Sequence, residues 1–410
     1  MTKKTAAPRT ALRSAVPQNR EHKPVPAGRV RKKFRLFSVR SGMDLPFLFL
    51  TLVLVIIGLI MMFSASYAYA SYHFSGDSYY FIKRQAVFAV IGVAVMIALS
   101  YFDYHHLHKF AIPVLLFSIA LLGLVLVLHP INEVHRWIVL GPFGQFQPSE
   151  IAKFAIILMF AHLISLNFSR MDTFRYGILP YLLILLPICG LLVKEPHISA
   201  TIIVLLLGAV MLFIGGVKLR WFVGAFGLAG AAMVYLVAFS GKLGYTSDRI
   251  AGWLDPFSNA SEQMIQNTWQ TRQSLYAIGS GGLLGLGLGQ SRQKFLYLPE
   301  PQNDFIFAIV CEELGFIGAL IIIILFAMLI WRGISISLHA QDKFGMLLGV
   351  GLVLQVGIQV VLNIAVVTNT IPNTGISLPF FSYGGTSLVI LLAEMGIVLS
   401  ISRTSSAEKT

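Results

Sequence analysis

Residues 45–63 read LPFLFLTLVLVIIGLIMMF, an apolar run without a single charged side chain. At about 1.5 Å of rise per residue, a helix of this length crosses the ~30 Å hydrocarbon layer of a bilayer. In lipid the backbone must satisfy its own N–H and C=O groups, so helices and closed barrels are the only ways across. The small residues that follow, SASYAYA at 64–70, raise the question of a cleaved leader. A leader's apolar region usually spans about 7–15 residues, and many further apolar runs follow this one, so the segment reads as an uncleaved first helix.

Composition extends that reading to the whole chain. Mean hydropathy is +0.76, and 56% of residues are hydrophobic against 12% charged, where a soluble domain carries about a quarter charged residues. Apolar stretches recur near 84–102, 110–128, 148–168, 177–193, 197–216, 220–240, 304–331, 344–369 and 380–402. The expected fold is an all-α polytopic membrane protein with ten transmembrane helices. Its main domain spans residues 45–403, with a large extracytoplasmic loop, 241–303, between helices 7 and 8.

The net charge of +13 is concentrated before Met43, where the single acid is Glu21. This segment has no apolar periodicity, and residues 1–44 read as a basic, disordered cytoplasmic tail rather than a nucleic-acid surface. Lys109, Arg170, Arg175, Lys218, Arg220, Arg332, Lys343 and Arg403 then fall in short loops or ends on the same side. By the positive-inside rule both termini are cytoplasmic, with 404–410 as a second short tail. Cys189 and Cys311 lie in apolar runs and read as core residues rather than a disulfide or a metal pair.

The outward segments break the charge bias. Arg84, Arg136, Lys153, Arg249, Arg272, Arg292 and Lys294 lie on or near that face. Several cations interleaved with acids suit an anion, and a phosphate or diphosphate fits Arg and Lys chemistry. Within the large loop, EQMIQNTWQTRQSLYAI (262–278) has helical spacing; an interfacial helix and a plug on the bundle both remain open. GSGGLLGLGLGQS (279–291) lacks the spacing of a dinucleotide fingerprint and the ending of a P-loop, and reads as flexible backbone beside a site. The histidines of DYHHLHK (103–109) fit an inner interfacial loop.

Residues 298–318, LPEPQNDFIFAIVCEELGFIG, place Asp304 at the outer start of an apolar helix and Glu312 and Glu313 inside it. Glu312 lies about 12 Å deeper than Asp304, so the two are not a close carboxylate pair. Asp304 reads either as a helix cap or as a functional acid. Acids inside a membrane are functional or paired by default, and Glu312 and Glu313 are expected to pair with buried Lys or Arg.

These motifs carry a resemblance. LPEPQNDFIFAIVCEELGFIG, GLGLGQSRQKFLYLPE, HRWI with QPSEIAKF, SLPFFSYGGTS and GLIMMFSAS resemble the SEDS family of shape, elongation, division and sporulation proteins (FtsW, RodA, SpoVE), from about Leu45 to Arg403. The division or sporulation branch is favoured. The resemblance implies a peptidoglycan glycosyltransferase of the bacterial cytoplasmic membrane, at the division septum. It polymerises lipid II at the outer face, with a class B penicillin-binding protein (the transpeptidase) and other division-complex membrane proteins as partners. It further implies Asp304 as the catalytic carboxylate, with Arg84, Arg136, Trp137, Glu150, Lys153 and Ser382 at the substrate site. Arg249 and Lys294 join the substrate-binding set from the outward cations. One departure stands out: EPHISAT (195–201) replaces the family's usual Gln-Pro-Asp-Leu-Gly-Thr, so no role is carried over for that Asp.

A lone carboxylate suits this chemistry. The attacking hydroxyl needs a general base, whereas ordinary glycosidases need a second carboxyl to protonate a poor leaving group. Diphosphate leaves as a stable anion, so Arg, Lys and a divalent cation (Mg or Mn) take that place. Asp304 then acts as base, as metal ligand, or as both. Two rivals are a lipid II flippase that uses Glu312, Glu313, Glu394 and Lys153 as a path, and a non-catalytic scaffold that recruits a transpeptidase.

Overall fold

The computed structural model describes residues 42–128, 136–139, 141, 144–224, 252–258 and 262–404. Arg249, nearly all of the expected span at 220–240, and both tails apart from their innermost residues lie outside the described residues. The helices are α1 (Leu45–His73), α2 (Tyr80–Tyr101), α3 (Leu107–Val127), α4 (Pro148–Asn167), the single turn α5 (Phe174–Gly177), α6 (Leu179–Lys194), α7 (Ile198–Ile214), α8 (Glu262–Gly281), α9 (Ile306–Leu338), α10 (Lys343–Val367) and α11 (Gly385–Thr404). A two-residue antiparallel ladder, Ile138–Val139 with Gln145–Phe146, precedes α4.

Among the described residues, eight helices are long and apolar enough to cross a membrane, and α7, with 17 residues, is a shorter apolar helix. Nine of the ten apolar stretches read from the sequence are therefore helical. The boundaries shift where side chains overrule hydropathy. α9 begins at Ile306, after a turn that holds Asp304 and Phe305, and its N-cap, Phe305, makes no side-chain cap bond. Asp304 is thus not the helix cap. α11 begins at Gly385, because residues 378–384 turn beneath the cavity described below.

Local chemistry explains the helix starts. Pro46 occupies the first turn of α1, where its missing N–H leaves nothing unpaired, and the Asp44 carboxylate accepts from Phe47 N at 3.0 Å. The same carboxylate pairs with Arg332 of α9 at 2.9 Å, and Asp44 N donates to Ser402 of α11. One acid thereby ties three helices together at the end of the bundle that carries the expected inner loops. α11 packs most extensively on α2, α9 on α10, α3 on α4 and α8 along α9. α8 buries Thr271, Arg272 and Ser274 and leaves Trp269 and Tyr276 exposed, so it packs on the bundle with its aromatic side outward.

The feature that orders the outer half is a break inside α9. Gly315 has φ +69° and ψ −171°, a conformation that only glycine adopts readily. The break lies about 14 Å along the axis from Ile306, and it frees backbone groups at membrane depth. The glycine-rich segment takes them up. Phe316 N donates to Gly282 O and Ile317 N to Leu283 O, while Leu286 N and Gly287 N donate to Glu312 O and Glu313 O, all at 2.9–3.1 Å. The expectation of a flexible segment is therefore corrected. Its glycines let two backbones meet, and these hydrogen bonds hold the segment against α9.

Side chains complete the attachment. Glu313 receives Lys294 Nζ at 2.9 Å, Ser64 Oγ at 2.7 Å and Ser291 N at 3.2 Å. Glu312 receives Ser291 Oγ at 2.5 Å and Arg292 N at 2.9 Å. Glu313 thus has the expected buried cation, whereas Glu312 is satisfied by hydroxyl and backbone donors instead. Removing one partner of a buried ion pair leaves an uncompensated charge and costs about 3–5 kcal/mol. Glu313→Gln is expected to lower folded yield and thermal stability sharply, and Glu313→Gln with Lys294→Met to recover part of the loss. Fluorescence-detected gel filtration and a thermal melt of each variant check this.

Candidate active site

The ends of the helices opposite the Asp44–Arg332 pair surround a cavity of about 590 Å³, well within the range of small-molecule sites. Its lining includes Arg84 at the start of α2, Glu150 and Lys153 from the first turns of α4, Asp304 before α9 and Ser382 before α11. Arg136 and Trp137, from the segment before the ladder, close another side. Seven side chains singled out from the sequence thus share one cavity although they range along the chain from Arg84 to Ser382. Lys294 is not among the lining residues; its ammonium is buried in the ion pair with Glu313. Its sequence assignment to the substrate site is corrected accordingly: a lysine held by a buried carboxylate serves the loop. Arg249 lies outside the described residues.

Asp304 is held from behind by its backbone. Asn363 of α10 donates Nδ2 to Asp304 O at 2.7 Å and to Ile376 O at 2.6 Å. Gly375, at φ +67°, stands against the carboxylate, and a Cβ there would lie 3.0 Å from Asp304 Oδ2. The Ser382 hydroxyl donates to Asn303 O and accepts from Leu378 N, both at 2.8 Å, and Tyr383 N donates to Gln302 O at 2.8 Å. Gln85 brackets the same turn, accepting from Gly384 N at 3.2 Å. Ser382 therefore joins the turn before α11 to the turn that carries Asp304. The signal for Asn363 was present in the sequence: Gln355, Gln359 and Asn363 recur every fourth residue in an otherwise apolar helix, and all three are buried.

The cations occupy distinct settings. Lys153 is 3% exposed and pairs with Glu150 at 2.9 Å across one turn of α4. Glu150 sits in the first turn of that helix, where the dipole favours an acid. Arg136 donates Nε to Glu195 O at 3.4 Å and also bonds Pro196 O. Arg84 lies 4.3 Å from the Tyr80 ring. Burial, reinforced by the charge of Glu300, pushes the Asp304 carboxyl up to about 6, with Arg136 drawing it partly back. Burial pushes Glu195 up to about 8 against the pull of Arg136. His197, buried and facing the charges of Arg136 and Lys153, is lowered to about 3 and is neutral.

The segment that departs from the family pattern thus contributes a neutral imidazole to the cavity wall, with Glu195 beside it. Neither Glu195 carboxylate oxygen has a hydrogen-bond partner among the described residues. No three His, Cys, Asp or Glu side chains come together as a ligand set among the described residues. The cavity therefore sets the half-buried Asp304 carboxylate, with Glu150 and Glu300, among several cations, an arrangement suited to deprotonating a hydroxyl and holding an anion beside it.

Comparison with known proteins matches residues 44–407 to the model of the cell cycle protein family FtsW/RodA/SpoVE. The chain belongs to this family. It is 43% identical to stage V sporulation protein E of Bacillus subtilis over 373 residues, 89% of this chain and 98% of that protein. It is 39% identical to the "Probable peptidoglycan glycosyltransferase FtsW" of Trichlorobacter lovleyi, over 91% of this chain and 95% of the relative. Among solved structures, a chain of a peptidoglycan synthase complex that coordinates polymerization and crosslinking superposes with a TM-score of 0.72 at 28% identity, over 88% of this chain and 98% of that one. The rod shape determining protein RodA of Thermus thermophilus gives 0.64 at 28% identity, over 90% and 99%. The two sequence relatives support the division and sporulation branch of the family.

In this FtsW/RodA/SpoVE protein the Asn363 amide is the group that anchors the backbone at Asp304. Replacing it with Leu leaves two buried carbonyls without a donor, at about 1–3 kcal/mol each. Asn363→Leu is expected to lower the melting temperature by several degrees, measured by thermal unfolding in detergent.

Proposed function

We propose that this chain is a peptidoglycan glycosyltransferase that polymerises lipid II at the outer face of the cytoplasmic membrane. The observation that carries the reading is the cavity itself, where Asp304 faces Arg84, Arg136 and Lys153 at one end of a membrane-spanning bundle. Membership of a family whose relatives are named as such enzymes supports it.

In the proposed reaction a sugar hydroxyl of one substrate attacks the anomeric carbon of the other. The O–H bond breaks and its proton passes to Asp304. The new C–O bond forms as the bond to the diphosphate breaks, and the leaving electron pair stays on the diphosphate. Arg136, Arg84 and Lys153 stabilise that charge as it develops. At about 6, Asp304 is mostly ionised at neutral pH yet basic enough to accept a proton.

A divalent cation fits the donor chemistry as well. Mg²⁺ takes one or two carboxylates together with phosphate oxygens rather than an all-protein cage, so Asp304 would hold Mg²⁺ or Mn²⁺. When bound, the ion supplies charge neutralisation at the diphosphate.

The same reading gives ten transmembrane helices, cytoplasmic termini, a septal location, and a class B penicillin-binding protein among the partners, alongside other division-complex membrane proteins. The structural neighbour from a synthase complex supports such an assembly. A flippase finds less support, because Glu312 and Glu313 are engaged in holding the glycine-rich segment.

Polymerisation of purified lipid II, in liposomes and with the co-expressed transpeptidase, tests the proposal. Wild type is expected to form glycan strands, and Asp304→Asn to lose at least about a hundredfold in rate, as for removal of a general base. A chelator is expected to lower the wild-type rate. Lipid movement across sealed vesicles without polymer, unaffected by the mutation, would favour the flippase. Because the base must be ionised, the wild-type rate should fall as pH drops through about 6 and level off above it, as read from kcat/KM against pH.

A further inference from the structure

The cavity has a second side that the mechanism above does not use. The outer ends of α1 and α2 carry many aromatic residues, and these divide into two sets. Tyr72 and Tyr79 point outward, 72% and 54% exposed, as interfacial belts do. Tyr69, Phe74, Tyr80 and Phe81 instead line the cavity, joined by Tyr383 from the turn before α11. An interfacial belt needs no inward-facing members, so the inward set calls for another explanation.

These rings form an ordered surface. Phe74 and Tyr80 stack with centroids 3.6 Å apart and planes within 14°. Phe81 meets Tyr383 edge-on at 4.8 Å, and the Arg84 guanidinium lies over Tyr80. Arg136, Glu150 and Lys153 build the charged side of the cavity, and Arg84 borders both sides. A ligand that spans both sides must therefore have an apolar or C–H-rich face as well as an anionic part.

Glu300 links the two sides. It lines the cavity, and its charge acts both on Tyr69 and on Asp304. Its Oε2 accepts from Asn303 Nδ2 at 2.8 Å, which leaves the carboxylate further acceptor capacity. Its backbone sits at φ +46° immediately before Pro301, a position where a non-glycine residue favours extended geometry. Strained backbone of this kind persists where the surroundings demand it, and it concentrates at functional sites.

We propose that Phe74, backed by Tyr80, and Glu300 form a carbohydrate subsite for the acceptor: a pyranose ring packs its C–H face on the Phe74 face that Tyr80 leaves free, and Glu300 accepts a hydrogen bond from one of its hydroxyls. This rests on the glycosyltransferase reading and deepens it. The acceptor belongs on this side because its attacking hydroxyl must reach Asp304, next to Glu300. The donor's diphosphate belongs on the other side, with Arg136 and Lys153. Two substrates of the same chemistry are thereby given different places by which part of each is recognised.

The test uses the full chain in nanodiscs with two soluble probes, the lipid-free N-acetylglucosaminyl-N-acetylmuramic acid disaccharide and inorganic pyrophosphate. Saturation-transfer NMR is expected to show transfer from protein to the ring C–H protons of the disaccharide. Tyr80→Leu should weaken disaccharide binding about tenfold, the scale of a lost aromatic contact. Glu300→Gln should weaken it by about tenfold or more, the scale of a hydrogen bond to a charged group. Tyr80→Phe should retain binding.

Pyrophosphate binding should be unchanged in all three variants and weakened by Arg136→Ala. Glu300 is exposed, so its variant tests the subsite even if Tyr80→Leu fails to fold. No transfer to the sugar in wild type, or sugar binding lost in Arg136→Ala but intact in Glu300→Gln and in folded Tyr80→Leu, would overturn the subsite. Lipid II polymerisation is measured in parallel. Sugar binding with the expected variant pattern but no polymer from wild type would count against the glycosyltransferase reading and leave the subsite standing. Polymer with an unaltered acceptor KM in Glu300→Gln would do the reverse.

Discussion

A backbone amide inside lipid must find its partner within the protein, and at Gly315 that constraint organises the outer half of the bundle. The break in α9 exposes donors and acceptors that water cannot reach, and the segment around 282–287 answers them one for one. Once that segment is fixed, Lys294 can reach Glu313 and Ser291 can reach Glu312. Both ends of the stretch between Lys294 and Glu313 are then anchored on the same helix. Asp304 lies on that stretch, so the helix break and the Asp304 carboxylate are parts of one mechanical unit.

The acids of this protein illustrate how environment assigns roles to one chemical group. Glu313 meets an ammonium and two hydrogen-bond donors at full burial, and it holds structure together. Asp44 meets a guanidinium at the other end of α9 and caps α1. Glu150 neutralises Lys153 at the cavity edge. Asp304 is confined by Gly375 and anchored through its own carbonyl by Asn363, with Arg136 acting on it from the cavity. Burial raises it towards neutrality and the cation keeps it from rising further, which is the balance a general base requires.

The cavity also combines two kinds of recognition that are usually weak alone. Cations bind an anion without reading the rest of the molecule, whereas an aromatic surface reads shape and C–H faces with little dependence on charge. In the proposed reaction Asp304 stands between the two sides, and Glu300 and Arg136 both act on it. A substrate gripped on both sides is oriented as well as bound, and orientation is what converts a bound pair of sugars into a reacting pair.

Much of this was legible in the amino-acid sequence. Uncharged runs long enough to cross lipid declare helices because the membrane leaves the backbone no alternative, and the bias of Lys and Arg orients them. The motifs around Arg84, Arg136, Glu150, Asp304 and Ser382 individually marked residues that line the cavity. Hydropathy could not show that Lys294 serves the loop rather than the cavity, since a lysine beside an outer segment reads the same either way. Nor could it show that a glycine-rich stretch is held in place, because glycine marks both loose chain and close backbone approach. The partners that distinguish these cases, Glu313 for Lys294 and the broken turn at Gly315 for Gly282 and Leu283, lie 19 to 34 positions away in sequence. Sequence determined which segments cross the membrane and which residue types are available for chemistry. The tertiary structure alone decided which of them share a cavity, because burial, pairing and field depend on neighbours that only folding brings together.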